Sequence, residues 1–257
     1  MKLVVIGGTG LIGSKVVALL KEHGHEAFAA APNTGVNTLT GEGLDAALTG
    51  ASAVVDVSNS PSWEDDAVMD FFQTSTRNVL AAESKAGVGH HLALSIVGTD
   101  ALPDSGYLRA KAAQEKLIEA SGVPYSIVHA TQFFEFVAGI ADGATDGGIV
   151  RMPPVAFQPI AGDDVAHLVA ETAAGAPLNG LVETAGPERY QMDDFFRKVL
   201  AATNDPREVM TDEHARYFGT ELSWGSLVPA GKAILGSTGY FEWGGKARDY
   251  PVASSAS

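Results

Sequence analysis

Tyr107 and Lys111 stand four residues apart in Tyr107-Leu108-Arg109-Ala110-Lys111, which puts a phenol and an ammonium on one face of a helix. That pair suits proton exchange with an oxygen. A free phenol titrates near about 10, and a neighbouring cation draws it toward working pH by stabilising the phenolate. A drop of about three units takes roughly 4 kcal/mol, more than one exposed contact supplies, so a second positive charge from a bound group is needed. Glu115, four residues beyond Lys111, offers the ammonium an ordinary helix ion pair as well.

A second constellation lies at the start of the chain. Gly8-Thr9-Gly10-Leu11-Ile12-Gly13 fits G-x-G-x-x-G, directly after the apolar run Leu3-Val4-Val5-Ile6 and directly before an amphipathic stretch. In that setting the glycines give a tight turn, a close backbone approach and close helix packing. The unpaired amides that open the helix then grip a pyrophosphate. The expected contacts are Gly7, Thr9, Gly10, Leu11, Ile12 and Gly13, along the pyrophosphate of a nicotinamide dinucleotide.

The second apolar run ends in Ala29-Ala30-Ala31-Pro32-Asn33-Thr34, without the acid that usually holds the ribose hydroxyls of NAD. Asn33 and Thr34 could donate to a 2′-phosphate, which favours NADP over NAD. Ser58, in the polar loop Ser58-Asn59-Ser60-Pro61-Ser62 after the third apolar run, is expected beside the cofactor too.

These residues need a scaffold. Short apolar runs at 3–6, 26–31, 53–57, 91–97 and 125–129 alternate with amphipathic segments at 11–22, 65–85 and 108–120. That rhythm predicts an α/β fold, a doubly wound parallel sheet of Rossmann type. Beyond it come a glycine-rich stretch (142–148), short strands near Ile149 and Phe157, helices over 163–174 and 192–202, and a strand near 181–184. We expect a nucleotide-binding core over 1–150 and a smaller, irregular substrate-side portion over 151–257, interleaved in one compact domain. Residues 252–257 read as a frayed tail.

Composition narrows the function. At 257 residues and 46% hydrophobic the chain can bury a substantial core. With no cysteine, disulfides and thiolate metal sites are excluded. A net charge of −14 opposes nucleic acid and anionic membranes. No run approaches the roughly 20 apolar residues of a membrane span, so a cytoplasmic monomer or homodimer with a small-molecule substrate is the expectation.

The Gly-rich turn, Leu94-Ser95-Ile96-Val97-Gly98, Tyr107-x-x-x-Lys111 and Gly162-Asp163-Asp164-Val165-Ala166 together resemble the short-chain dehydrogenase/reductase superfamily, and more narrowly its atypical, NmrA-like NAD(P)-binding members, to about Phe241. The resemblance implies Tyr107 as general acid/base, Lys111 holding the nicotinamide ribose and lowering the tyrosine's pKa, and Ser95 bonding the substrate oxygen. The short interval from Ser95 to Tyr107 leaves Thr99 and Ser105 as rivals, and His129 stands where relatives often carry Arg.

Three functions follow: an NAD(P)H-dependent reductase or dehydrogenase of a small carbonyl or alcohol, a redox-sensing NAD(P)-binding regulator, and a sugar-nucleotide epimerase or dehydratase. Phe133 and Phe134 are candidate substrate walls. Trp224, Tyr240, Phe241 and Trp243 read as core. His90-His91 read as solvated loop residues without metal-ligand spacing, and Asp163 and Asp164 as structural carboxylates at a helix start.

Overall fold

The computed structural model describes residues 1–244; the tail expected over 252–257 lies outside them. The first half runs β1 (Lys2–Ile6), α1 (Leu11–Glu22), β2 (Glu26–Ala30), α2 (Leu44–Leu48), β3 (Ala53–Asp56), α3 (Asp65–Ala86), β4 (His91–Ile96), α4 (Gly106–Glu119) and β5 (Tyr125–Ala130). There follow α5 (Val137–Gly143), β6 (Thr145–Asp146), β7 (Ile149–Met152), β8 (Ala156–Phe157), α6 (Gly162–Ala174) and β9 (Gly180–Ala185). The chain continues with β10 (Tyr190–Gln191), α7 (Met192–Ala202), β11 (Glu208–Thr211), β12 (Arg216–Tyr217), β13 (Thr220–Glu221), β14 (Ile234–Leu235) and α8 (Tyr240–Trp243).

Seven strands form one parallel sheet in the order β14-β9-β5-β4-β3-β1-β2. The chain steps outward from β1 to β2 and then crosses back to β3, so the strand order reverses between β1 and β3. Ligands of such sheets collect in the crevice outside the strand ends at that reversal.

Both faces are covered, which is why the central strands read as apolar runs rather than alternations. Leu3 and Val5 pack with Ile12, Val16 and Leu20 of α1 and with Val165 and Val169 of α6. Val4 and Ile6 pack on the other face with Leu44, Leu48 and Val79. The same pleat turns His91, Ala93 and Ser95 of β4 toward α3 and α4. β9 and β14, from the second half, extend the central sheet beyond β5. A separate core around Phe157, Phe195 and Phe196 joins α5, β7, β8 and α7.

The expectations for two aromatics and two histidines change. Tyr240 is buried, but Trp224 and Phe241 are 61% and 44% exposed; Trp224 is fixed through its backbone carbonyl, which accepts from the Ala156 amide, and not through its ring. His90 and His91 are both buried. The Ser126 hydroxyl lies 2.8 Å from His90 Nε2, and His91 Nδ1 meets Glu83 Oε1 at 2.7 Å. Asp163 pairs with Lys15, and Asp164 accepts from the amides of Ser237 and Thr238 at 3.0 Å, so both hold elements together. No helix among the described residues is long and apolar enough to cross a membrane.

Candidate active site at the strand-end crevice

The turn after β1 has the shape its sequence implies. Gly7 has φ +76° and its α-carbon packs on Ser58. A Cβ at Gly13 would lie 2.2 Å from the Gly7 carbonyl oxygen, and one at Gly8 would lie 2.6 Å from the Ala29 α-carbon; at Gly10 the nearest atom is 3.3 Å away. Gly8 and Gly13 are therefore fixed by packing, whereas at Gly10 a side chain would crowd only the Gly7 carbonyl oxygen. Helix α1 begins at Leu11 with no side-chain cap and no acid in its first turn. Its free amides can take an anion. A dinucleotide's pyrophosphate fits this cradle, with Thr9, Gly10, Leu11, Ile12 and Gly13 lining it.

The far edge of the cradle differs in detail. Thr9 Oγ1 donates to Asn33 Oδ1 at 3.3 Å, which ties the exposed Asn33 to the phosphate turn. Thr34 is turned inward: its hydroxyl accepts from the Ala31 amide and donates to the Ala31 carbonyl, both at 2.9 Å. It closes its own turn.

Contact then passes along the strand ends. Ser58 donates from its amide and hydroxyl to Asp56 Oδ1, at 3.0 and 2.6 Å. The next residue, Asn59, accepts from the Tyr107 hydroxyl at 2.9 Å. Gly7, Ser58, Asn59 and Tyr107 thus form one continuous path from the phosphate turn to the phenol.

Tyr107 and Lys111 share a helix face but not an interaction. Lys111 is 3% exposed, and its ammonium donates to the Leu94 carbonyl at 2.9 Å and to Gln114 Oε1. It also sits 4.6 Å from the centre of the Phe72 ring, whose edge meets the Tyr107 ring. Burial pushes Lys111 down to about 8, against the pull of Asp56 and Glu115. Burial pushes the Tyr107 phenol up, with no cation offsetting it. The expected lowering of Tyr107 by Lys111 is thus absent from this structure, because Leu94 and Gln114 hold the ammonium elsewhere.

Ser95 and its rivals are engaged too. Being on the β4 face under α4, Ser95 donates to Glu115 Oε1, and Thr99 reaches the same oxygen at 3.3 Å. Ser105 caps α4, accepting from the Leu108 amide. His129 Nε2 lies 3.1 Å from Glu115 Oε1, which accounts for the residue at that position. Burial alone would raise the Glu115 carboxyl, but its bonds from His129 and Ser95 hold it below its ordinary value. Glu115 therefore gathers Ser95, Thr99 and His129 instead of pairing with Lys111.

Phe134 is not a substrate wall. It is 1% exposed and meets Tyr240 and Trp243 edge-on. Phe133 is half-buried and stacks on Phe136 at 5.6 Å. The rings around Tyr107 are Phe72 and Trp63, the latter at 5.2 Å.

Asn59, Asp56 and Gln114 escaped the sequence reading. Asp56 accepts from Ser58 and, at 3.0 Å, from Gln114 Nε2, tying the end of β3 to α4. An acid closing the apolar run Ala53-Val54-Val55-Asp56 was the available signal. Concavities of about 400 and 440 Å³ lie elsewhere, beside Arg207 and beside Lys85, and contain none of these residues.

Comparison with known proteins agrees with the turn and the topology. The family described as NAD(P)H-binding matches residues 7–175. A curated protein of Streptomyces griseus subsp. griseus, (4-alkanoyl-5-oxo-2,5-dihydrofuran-3-yl)methyl phosphate reductase, is 29% identical over 162 residues, 58% of this chain and 54% of that protein. The chain spans about half the length of that relative. Among solved structures, UDP-glucose 4-epimerase of Thermus thermophilus in complex with NAD aligns at 17% identity with a TM-score of 0.67, over 88% of this chain and 92% of that one. An NADPH-dependent quinone oxidoreductase of Escherichia coli aligns at 17% identity and 0.62, over 83% and 78%. At these identities the likeness is one of fold.

Proposed function

The chain belongs to the NAD(P)H-binding family, and from that premise we propose that it is an NADPH-dependent oxidoreductase that reduces a small carbonyl with Tyr107 as proton donor. We read it further as an atypical, NmrA-like short-chain dehydrogenase/reductase, cytoplasmic, a monomer or homodimer. One observation carries the reading: the Tyr107 hydroxyl is held by Asn59 at the end of an unbroken contact path from the phosphate turn.

The bound nicotinamide would supply reducing equivalents to the carbonyl carbon. Each other step falls to the protein. The turn from Gly7 to Gly13 and the start of α1 bind the pyrophosphate. The exposed Asn33, with no acid in Pro32-Asn33-Thr34, suits a 2′-phosphate. Burial keeps Tyr107 protonated, ready to donate to the carbonyl oxygen as charge develops there. Asn59 fixes the direction of the hydroxyl. Asp56, through Gln114, holds Lys111 under the same helix.

One observation favours a second reading, a binder that senses redox state without turnover: Lys111 does not reach Tyr107 here. Calorimetry with NADPH, NADP⁺, NADH and NAD⁺, followed by NADPH oxidation against a carbonyl panel, decides between them. NADPH should bind, and Gly10→Asp, which sets a carboxylate against the pyrophosphate and asks only the Gly7 carbonyl to give way, should abolish binding while thermal unfolding shows the protein still folded. Tyr107→Phe should lower kcat by about 10² to 10³ and leave the cofactor Kd unchanged. Full activity in that variant removes the proton-donor role; tight binding without turnover leaves the sensor. No affinity for any nicotinamide nucleotide removes both.

A further inference from the structure

The strands β12 and β13 form a short hairpin over 216–221 whose turn residues, Phe218 and Gly219, have φ of +47° and +84°. Both positions of such a turn need positive φ, which favours Asn-Gly. A phenylalanine in the left-handed region is uncommon, and held strain of this kind clusters at ligand clamps and switch regions. Phe218 is also 50% exposed. Its ring lies 5.5 Å from Trp63, which lies 5.2 Å from Tyr107. The hairpin therefore holds an aromatic ring over the mouth of the crevice at some conformational cost.

A second feature points into the same place. Tyr217, beside Phe218 in the hairpin, meets the Gln132 side chain, and Gln132 is 8% exposed with its Oε1 lacking any donor among the described residues. A buried amide oxygen left unpaired is costly unless a ligand supplies the missing proton. The charged groups of this region are engaged already. Arg109 donates to Asp65 and to the Pro103 carbonyl at 2.6 Å, Lys111 is buried in its own network, and Arg216 turns back onto the Gly219 carbonyl. A phosphate would have to break one of these pairs.

We propose that Trp63 and Phe218 are the two sides of a substrate clamp with Gln132 as its polar stop, and that together they select a flat aryl aldehyde or aryl ketone bearing a hydroxyl and no phosphate. The proposal rests on the reading of Tyr107 as the proton donor, because the clamp seats the carbonyl at that phenol. The Gln132 oxygen accepts the substrate hydroxyl. Phe218 stands at the tip of a hairpin with two-residue strands, which can swing to admit a ring and settle on it.

The test uses the full chain loaded with NADP⁺ for binding by calorimetry and with NADPH for turnover. The probes are the three hydroxybenzaldehydes, benzaldehyde, cyclohexanecarbaldehyde and glyceraldehyde 3-phosphate. Benzaldehyde should bind about tenfold more tightly than its saturated counterpart, and at least one hydroxyl isomer about tenfold more tightly again. The ring preference should vanish in Trp63→Leu and in Phe218→Asn, which keeps a residue tolerant of the left-handed turn. Gln132→Leu should remove only the hydroxyl preference. NADP⁺ affinity should be unchanged in all three variants, which shows that they remain folded.

Equal binding of flat and saturated aldehydes overturns the clamp, as does a ring preference that survives both aromatic substitutions, or preferential binding of the phosphorylated aldehyde. A hydroxyl preference retained in Gln132→Leu overturns the stop. Selective binding with no turnover overturns the reductase reading and leaves the clamp standing; unselective turnover does the reverse.

Discussion

Lys111 is an ammonium held almost wholly out of water, and its protonation is linked to the stability of the fold. Its folded value is about 8 against an ordinary 10.5. Between those values the unfolded chain keeps a proton that the folded chain gives up, so stability rises with pH across this window. Urea unfolding at pH 8 and 9.5 should show a gain of about 1–2 kcal/mol, and Lys111→Met should flatten it; a flat wild-type profile contradicts the burial argument. Tyr107 and Tyr217 are raised by burial and act in the opposite sense only above about 10. At this scale the sequence was readable where residue type alone carries the information. Gly8 and Gly13 could be named because no other side chain fits there. The aim of Ser95 could not, since it depends on which side of the pleat covers that position, and Lys111 depends on Gln114 and Leu94.

Helix α3 docks on β4 through a polar contact, Glu83 to His91, both fully buried. Burial opposes charge on each group; on His91 the neighbouring carboxylate outweighs it and raises the imidazole's pKa. Glu83→Ala would leave the imidazole buried without its partner and should cost about 3–5 kcal/mol in urea unfolding. Glu83→Gln, which keeps an acceptor, should cost clearly less; equal costs would mean that the carboxylate's charge, and not the hydrogen bond, holds the contact. The central strands and the long helices were legible because each repeats its period over several residues. The strands β10, β12, β13 and β14 were not, having two residues each. That gap hid Phe218. The burial of His91, which opens the run 91–97, was hidden for another reason: the helix covering it lies earlier in the chain.

Across the whole molecule, the family match ends at residue 175, while β9, which pairs along Ser126–Ala130 of β5, begins at Gly180. The seven-stranded topology followed from the alternating rhythm of the first half. That the second half would extend the same sheet did not, because Ile234 and Leu235 of β14 are exposed and show no alternation. A chain cut after Gly175 should elute from size-exclusion chromatography as dimers or larger species, where the 257-residue chain keeps a smaller, defined size. A monomeric, cofactor-binding fragment would contradict this. The reason is the seam between β5 and β9. Remove its outer side and a row of bare amides and carbonyls stands open along a strand whose side chains are nearly all apolar or buried, a template for pairing with any other chain. The nucleotide-binding segment is therefore not a portable module: transplanted without its last strands, it would carry the phosphate turn together with an adhesive edge.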